Sequence, residues 1–365
     1  MKKVVVQILR APAGGIRKHV LDILDNLSSD DIKQIFITNL LDSDIDLDYL
    51  KNNKNIEVFH VDISESPGIK DLKNLIQIYN ILSGKKVDVL HGHGAKGGLY
   101  ARILSKALRA KCIYTPHGGS LHRVHGRLKN VVYDLIEKFL MIFTDIFLFE
   151  SNYSAEIFTK NISNPGSKKV INYNGVDIPE IYSTHFYHSG DKIRFASFGL
   201  LRHLKGHDIF IEACKILKEK SIPFSYTIYG NGEFGLYLKE LILKHGLSDD
   251  VKILNYSGNV CFEMQKYDFI VHPSRFESFG YVPVEAMSVK VPVIVSHEGG
   301  LKEVMDEASG YICYDNTAAS YAKIAEALFN GDPNLPAKIA AGYERVQRKF
   351  SKDVMLVKIR ELYLK

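Results

Sequence analysis

No apolar run in this 365-residue chain reaches ~20 residues, the length a helix needs to cross a bilayer. Cysteine is scarce: Cys112, Cys214, Cys261 and Cys313 stand far apart, with no C-x-x-C spacing. That argues against a zinc ribbon or a disulfide framework and fits a reducing cytoplasm. Neither sign of charge dominates, since 47 Lys and Arg face 42 Asp and Glu, a net of +5. So mild a basic balance suits phosphate ligands or an anionic membrane surface and is too weak to argue for nucleic acid. There is no fixed-period repeat and no low-complexity tract. The opening "MKKVVVQILRAPAGG" has the lysines of a signal peptide. Its apolar run, about six residues, is too short for one, and Gly14-Gly15 follows at once. It reads as a first strand.

What the chain does have is alternation. One strand series runs "VVVQIL", "QIFIT", "IEVFHV", "VDVLH", "KCIYT", "DIFLFES". A second runs "IRFASFG", "FSYTIYG", "VKILNYS", "DFIVHPS", "PVIVS". Several are almost wholly apolar, as strands covered on both faces by helices must be. Helical stretches such as "RLKNVVYDLIEKFLMIF" and "EFGLYLKELILKHG" lie between them. This predicts α/β architecture with parallel sheets. The break falls near residues 180–192, in the polar and aromatic "EIYSTHFYHSGDK", which reads as a linker. The expected domains are 1–188 and 189–348, two doubly wound Rossmann-like sheets facing across a cleft. A final helix over 349–365 has Ser351 as its N-cap.

Ligands of such sheets bind beyond the carboxyl ends of the strands. Gly14 and Gly15 occupy the first such turn and let backbone N–H groups approach a ligand. "GLLRHLKG" is the corresponding turn of the second half. Its Arg202 and Lys205 suit a diphosphate; the alternative is a solvated basic turn. "GHGAKG" and "GNGEFG", the latter with Gly230 and Gly232, match G-x-G-x-x-G. Neither follows the first strand of its half, so tight turns with some phosphate-facing amides are expected rather than a dinucleotide fingerprint. Residues 42–48, "DSDIDLD", contain D-x-D but read as a solvated acidic loop. His91 and His93 alternate at a strand end, as a metal pair could; no third ligand is evident, and turn packing is expected.

"ESFGYVPVE" puts Glu277 and Glu285 eight residues apart. A strand should end near Ser274 and a helix begin near Val282, with Pro283 tolerated in its first turn. Glu277 then lies on the loop and Glu285 one turn into the helix. The amides of Ser278, Phe279 and Gly280 make an anion site at the helix N-terminus. Carboxylates there can accept hydrogen bonds from sugar and ribose hydroxyls.

These features, together with "TPHG" (115–118), "NGVD" (174–177), "YGNGE" and "HEGGLKEVM", span nearly the whole chain. In their order the chain resembles a retaining glycosyltransferase of family four, with the two-domain GT-B fold. The resemblance implies that Arg202 and Lys205 hold the donor diphosphate, helped by the amides of Phe279 and Gly280. It implies that Glu277 meets the donor-sugar hydroxyls, Glu285 the ribose, and His117 the reacting sugar, and that the final helix returns to the first domain. No metal or other cofactor is expected. The partners implied are a nucleotide-diphosphate sugar, UDP foremost, and a glycan or lipid-linked acceptor of surface polysaccharide or glycolipid synthesis. The enzyme would be cytoplasmic, with peripheral contact at the inner face of the membrane through the basic stretch "GGSLHRVHGRLKN". Two departures touch acceptor and donor details: "GGIRKH", where the family has a small residue and an acid after its glycines, and "SHEGG", where a threonine or small residue is common. An epimerase or phosphorylase on the same fold, or an inactive sugar-nucleotide-binding module, stays open. The pyridoxal phosphate lysine of a phosphorylase has no signature here. The resemblance implies retention, and with no other Asp or Glu evident at a cleft-facing strand end of the first domain the expected route is front-face attack.

Overall fold

The computed structural model describes residues 2–12, 14–42, 52–117, 126–181, 187–255 and 258–365. Residues 43–48 of the D-x-D stretch, residues 118–125 of the basic stretch and residues 182–186 of the expected linker lie outside these. The chain divides into two compact units, residues 1–175 with 352–365, and residues 176–351.

The first unit runs β1 (Lys3–Leu9), α1 (Gly14–Leu27), β2 (Ile32–Thr38), β3 (Ile56–His60), α2 (Ile69–Leu82), β4 (Val89–His93), α3 (Gly94–Leu108), β5 (Lys111–Thr115), α4 (Arg127–Leu140), β6 (Ile146–Phe149), α5 (Asn152–Asn161) and β7 (Lys169–Ile171). Its sheet has the order β3-β2-β1-β4-β5-β6-β7, and every pair is parallel. Val5, Val6, Ile8, Ile35, Phe36, Leu90, Ile113 and Phe147 are buried from both faces, which is why these strands read as apolar runs rather than alternations.

The second unit follows with β8 (Ile193–Phe198), α6 (His207–Glu219), β9 (Phe224–Tyr229), α7 (Gly235–Lys244), β10 (Val251–Leu254), α8 (Val260–Met264), β11 (Phe269–His272), α9 (Tyr281–Ser288), β12 (Val293–Ser296), α10 (Leu301–Val304), β13 (Tyr311–Cys313), α11 (Ala318–Asn330) and α12 (Leu335–Arg345). The sheet order is β10-β9-β8-β11-β12-β13, again all parallel. Its core is aromatic. Phe210 of α6 meets Phe195 and Tyr226 edge-on, with ring centroids 5.1 and 4.8 Å apart, a geometry that adds to the area they bury.

The last helix, α13 (Lys352–Leu364), belongs to the first unit. Met355, Leu356, Ile359 and Tyr363 form one stripe at helical spacing and pack with Val5, Ile23, Val89, Ile113 and Leu148. Helix α4 is tied to α3 by a fully buried guanidinium. Arg102 donates to Glu137 at 2.7 Å and lies 4.0 Å from the centre of the Tyr114 ring. Its outer face exposes Val131, Val132, Leu135 and Phe139.

In each sheet the strand order reverses once, between β1 and β4 and between β8 and β11. Turns leaving a sheet beside such a reversal diverge and open a crevice for ligands. Every expected site residue except Gly230, Gly232 and His117 is carried by one of those four strand-end turns or by the start of the helix that follows. Gly230 and Gly232 follow β9, and His117 follows β5.

Candidate active site

In the second unit the turn after β8 carries Arg202 and Lys205, and the turn after β11 carries Glu277. The two turns are stitched together: the Arg275 amide donates to the Leu204 carbonyl at 2.8 Å, and the Arg275 guanidinium grips Asp208 at the start of α6. Lys205 pairs with Glu277 through Oε1. His272, the last residue of β11, donates from Nε2 to the same oxygen at 2.9 Å, and Ser274 Oγ lies 3.3 Å from it. Burial works against the Glu277 charge. Lys205 and His272 outweigh it and hold the carboxyl well below the usual carboxylate range. Burial lowers His272 against the pull of Glu277, and together with the neighbouring His272 and Lys205 it brings the buried His207 down to about 3. The result is a fixed carboxylate–ammonium pair at the sheet's reversal point.

The loop past Glu277 is held from behind by the Gly300 amide, which donates to the Glu277 carbonyl at 2.8 Å. It ends at Gly280, whose φ of 109° lies where a side chain would be strained. That turn starts α9 and fixes the amides of Ser278, Phe279 and Gly280 at its N-terminus. The Phe279 ring is buried between Tyr281 and Phe350, so its side chain packs. Glu285 is half-buried in α9. Arg202 is not the twin of Lys205: its side chain is 57% exposed, and Glu233 is 3.8 Å away. A Cβ on Gly230 would stand 1.9 Å from the Gly199 carbonyl oxygen, and Leu201 donates its amide to the Asn231 carbonyl. "GNGEFG" therefore buttresses the Arg202 turn, and close packing alone accounts for its first glycine.

In the first unit, Gly14 and Gly15 open α1. His93 ends β4, and His117 lies two residues past β5, with an unusual φ of 50°. The expected pair of His91 and His93 separates: beside His93, and not His91, His19 from α1 and His117 bring ring nitrogens to within 4.8 Å of that of His93 and of each other. His93 Nδ1 and His117 Nε2 are 3.1 Å apart. His91 is a packing histidine, bonded to Tyr363 Oη at 2.7 Å and Thr115 Oγ1 at 2.8 Å. Burial, reinforced by His117, brings it down to about 3. Burial likewise pushes His19 and His93 well below the ordinary imidazole value.

An acidic residue also stands at a strand end of this unit: Glu150, directly after β6. It is buried, 3.3 Å from His117 Nδ1, and accepts from Asn174 Nδ2 at 2.9 Å.

Residues 13–180 match the family model described as Glycosyltransferase Family 4, and residues 184–345 match that of Glycosyl transferases group 1. The chain is a glycosyltransferase. An uncharacterised glycosyltransferase of Methanocaldococcus jannaschii is 27% identical over 100% of this chain and 98% of its own length. The UDP-Gal:alpha-D-GlcNAc-diphosphoundecaprenol alpha-1,3-galactosyltransferase of Escherichia coli is 26% identical, covering 81% of this chain and 80% of its own. Among solved structures, Anabaena HepE in complex with UDP and glucose superposes with a TM-score of 0.81 at 19% identity, covering 99% of each chain. That likeness establishes the GT-B fold.

Three residues of the candidate site, His19, Glu150 and His272, were missed in the sequence, and the first two left a signal. His19 falls in the buried stripe of α1 with Val20, Ile23, Leu24 and Leu27, where a polar ring needs a reason. Glu150 ends the apolar run "IFLF", just before Ser151 caps α5 by accepting from the Ser154 amide. His93 and His272 end their strands in the same way.

Proposed function

We propose that this glycosyltransferase takes a sugar from a nucleoside-diphosphate donor, UDP foremost, and transfers it with retention to a lipid-linked or glycan acceptor of surface polysaccharide synthesis. The observation that carries the reading is the Lys205–Glu277–His272 constellation where the second sheet reverses. Three groups converge on Glu277 Oε1, and the second carboxylate oxygen is left to accept a sugar hydroxyl. Lys205 and Arg202 supply positive charge for the diphosphate, and the amides from Ser278 to Gly280 add donors at a helix N-terminus. Glu285 takes the ribose. That set neutralises the leaving group without a metal. The relatives lend support: the E. coli enzyme's name gives a UDP-sugar donor and a diphosphoundecaprenol-linked acceptor.

His117 is assigned to the reacting sugar, with Glu150 orienting its ring. Glu150, engaged by His117 and Asn174, suits a positioning role better than that of a nucleophile, which keeps front-face attack as the route to retention. The departing phosphate then takes the acceptor proton as the new glycosidic bond forms. The exposed apolar face of α4, flanked by Lys129 and Lys138, supports peripheral attachment at an anionic membrane surface. A thermal-shift screen of UDP-, GDP- and ADP-sugars tests the donor class. A ligand at 100 Kd adds about 2.7 kcal/mol, and a rise with none of the three would refute the reading.

A further inference from the structure

The hydrogen bonds around the first unit's histidines fix their tautomers. Gln34 Nε2 donates to the Ile23 carbonyl at 2.9 Å and to Ser28 Oγ at 2.9 Å, so Gln34 Oε1 is an acceptor. Gln7 Nε2 donates to that oxygen at 2.8 Å and to Tyr363 Oη at 2.9 Å. Gln7 Oε1 is then an acceptor too, and His93 Nε2, 2.9 Å from it, carries the proton. A neutral His93 therefore presents a lone pair at Nδ1. On the other side, Glu150 draws the proton of His117 to Nδ1. A neutral His117 presents a lone pair at Nε2. These two nitrogens, 3.1 Å apart, are both acceptors and repel unless a cation lies between them.

A proton would serve two nitrogens. The third ring decides. His19 is only 2% exposed, and neither of its ring nitrogens makes a hydrogen bond of ordinary geometry among the described residues; Asn174, whose Oδ1 is likewise unpaired, acts on it only weakly. A buried imidazole aimed at two others satisfies itself as a ligand.

We infer that His19, His93 and His117 bind one divalent transition-metal ion of the zinc class, with a fourth position open. Tetrahedral zinc with Zn–N bonds of about 2.0–2.1 Å sets its nitrogens about 3.3–3.4 Å apart, close to the His93–His117 spacing. The outer contacts fit as well. Ligating histidines commonly donate their other N–H to a carboxylate or carbonyl, which fixes the tautomer and raises ligand basicity; Glu150 and the Gln7 amide oxygen stand in those places. His91, with both nitrogens bonded to Tyr363 and Thr115, lies outside the set. The ion is not needed for the leaving group. It would occupy the nitrogen that His117 offers to sugar, which makes it a brake on transfer rather than a cofactor.

The test is metal binding and does not depend on transfer activity. Chelator-stripped full-length protein is titrated with Co²⁺ and followed by its visible d–d absorption. One equivalent should bind with a four- or five-coordinate spectrum, and Zn²⁺ should displace it. His19→Ala should weaken binding about 100-fold or more, and Glu150→Gln by about 10- to 100-fold. Circular dichroism reports whether each variant is folded. If His19→Ala is not, His19→Gln and imidazole ¹⁵N shifts of the wild type on adding Zn²⁺ take its place. The inference is overturned if the wild type takes up no stoichiometric Co²⁺, if the folded His19 variant binds as tightly, or if the three ring nitrogens do not shift.

Discussion

Glu277 illustrates how much one residue can carry at this site. Its charge is held by Lys205 and His272 against the cost of burial. The carboxyl is therefore depressed in the folded state, and the stability it contributes is fully present above its unfolded value of about 4.5. That contribution is lost as pH falls below this value. The melting temperature of the wild type should drop more steeply between about pH 5 and pH 3 than that of Glu277→Gln; parallel curves would remove Lys205 and His272 as partners of Glu277. Arg202→Ala should act on the donor alone, because its side chain is largely exposed and its pair with the exposed Glu233 adds little to stability. Unchanged melting with weaker UDP binding is the expected pair of results. The E-x7-E spacing was readable in the sequence because both carboxylates stand in a short segment. His272 was not, because a histidine ending an apolar strand looks the same whether it packs or donates.

At the scale of the element, the long apolar strands announced themselves, and the two three-residue strands β7 and β13 did not. Three residues carry no period, and both of these are edge strands placed by their neighbours. The site's main acidic surprise, Glu150, was hidden for a related reason: what brings it to His117 is the β5–β6 pairing, not any sequence proximity. Helix α13 is bound to the first unit by its stripe and by polar contacts, among them Asn172 to the Met355 carbonyl, Lys111 to the Leu362 carbonyl, and the buried Tyr363 hydroxyl. Tyr363→Phe would leave Gln7 and His91 without that partner, at a cost of about 1–3 kcal/mol. A calorimetric melting shift checks it, and no shift would mean the hydroxyl is dispensable. Arg102→Ala should cost about 3–5 kcal/mol, since it leaves Glu137 as an uncompensated buried charge. Denaturant unfolding measures this, and a loss below about 1 kcal/mol would mark the pair as solvated.

Across the whole molecule, the two sheets repeat one device: a strand-order reversal flanked by a glycine-bearing turn and a polar strand end. The proposed chemistry divides between them, with the diphosphate, ribose and sugar hydroxyls on the second unit and His117 on the first. Transfer should persist in EDTA, because Arg202, Lys205 and a helix N-terminus neutralise the leaving group. A metal-reversible loss of activity would contradict that. A UDP-α-sugar should give an α-linked product by NMR coupling constants, and a β-linked product would refute front-face retention. The most direct test of the account is calorimetric titration of UDP into the wild type and Lys205→Ala. The account predicts a single site in the wild type, weakened by about 1.5–3 kcal/mol in the variant, as for a lost charge-assisted hydrogen bond. Equal affinity in the two proteins would contradict the placement of the donor diphosphate at the reversal point of the second sheet.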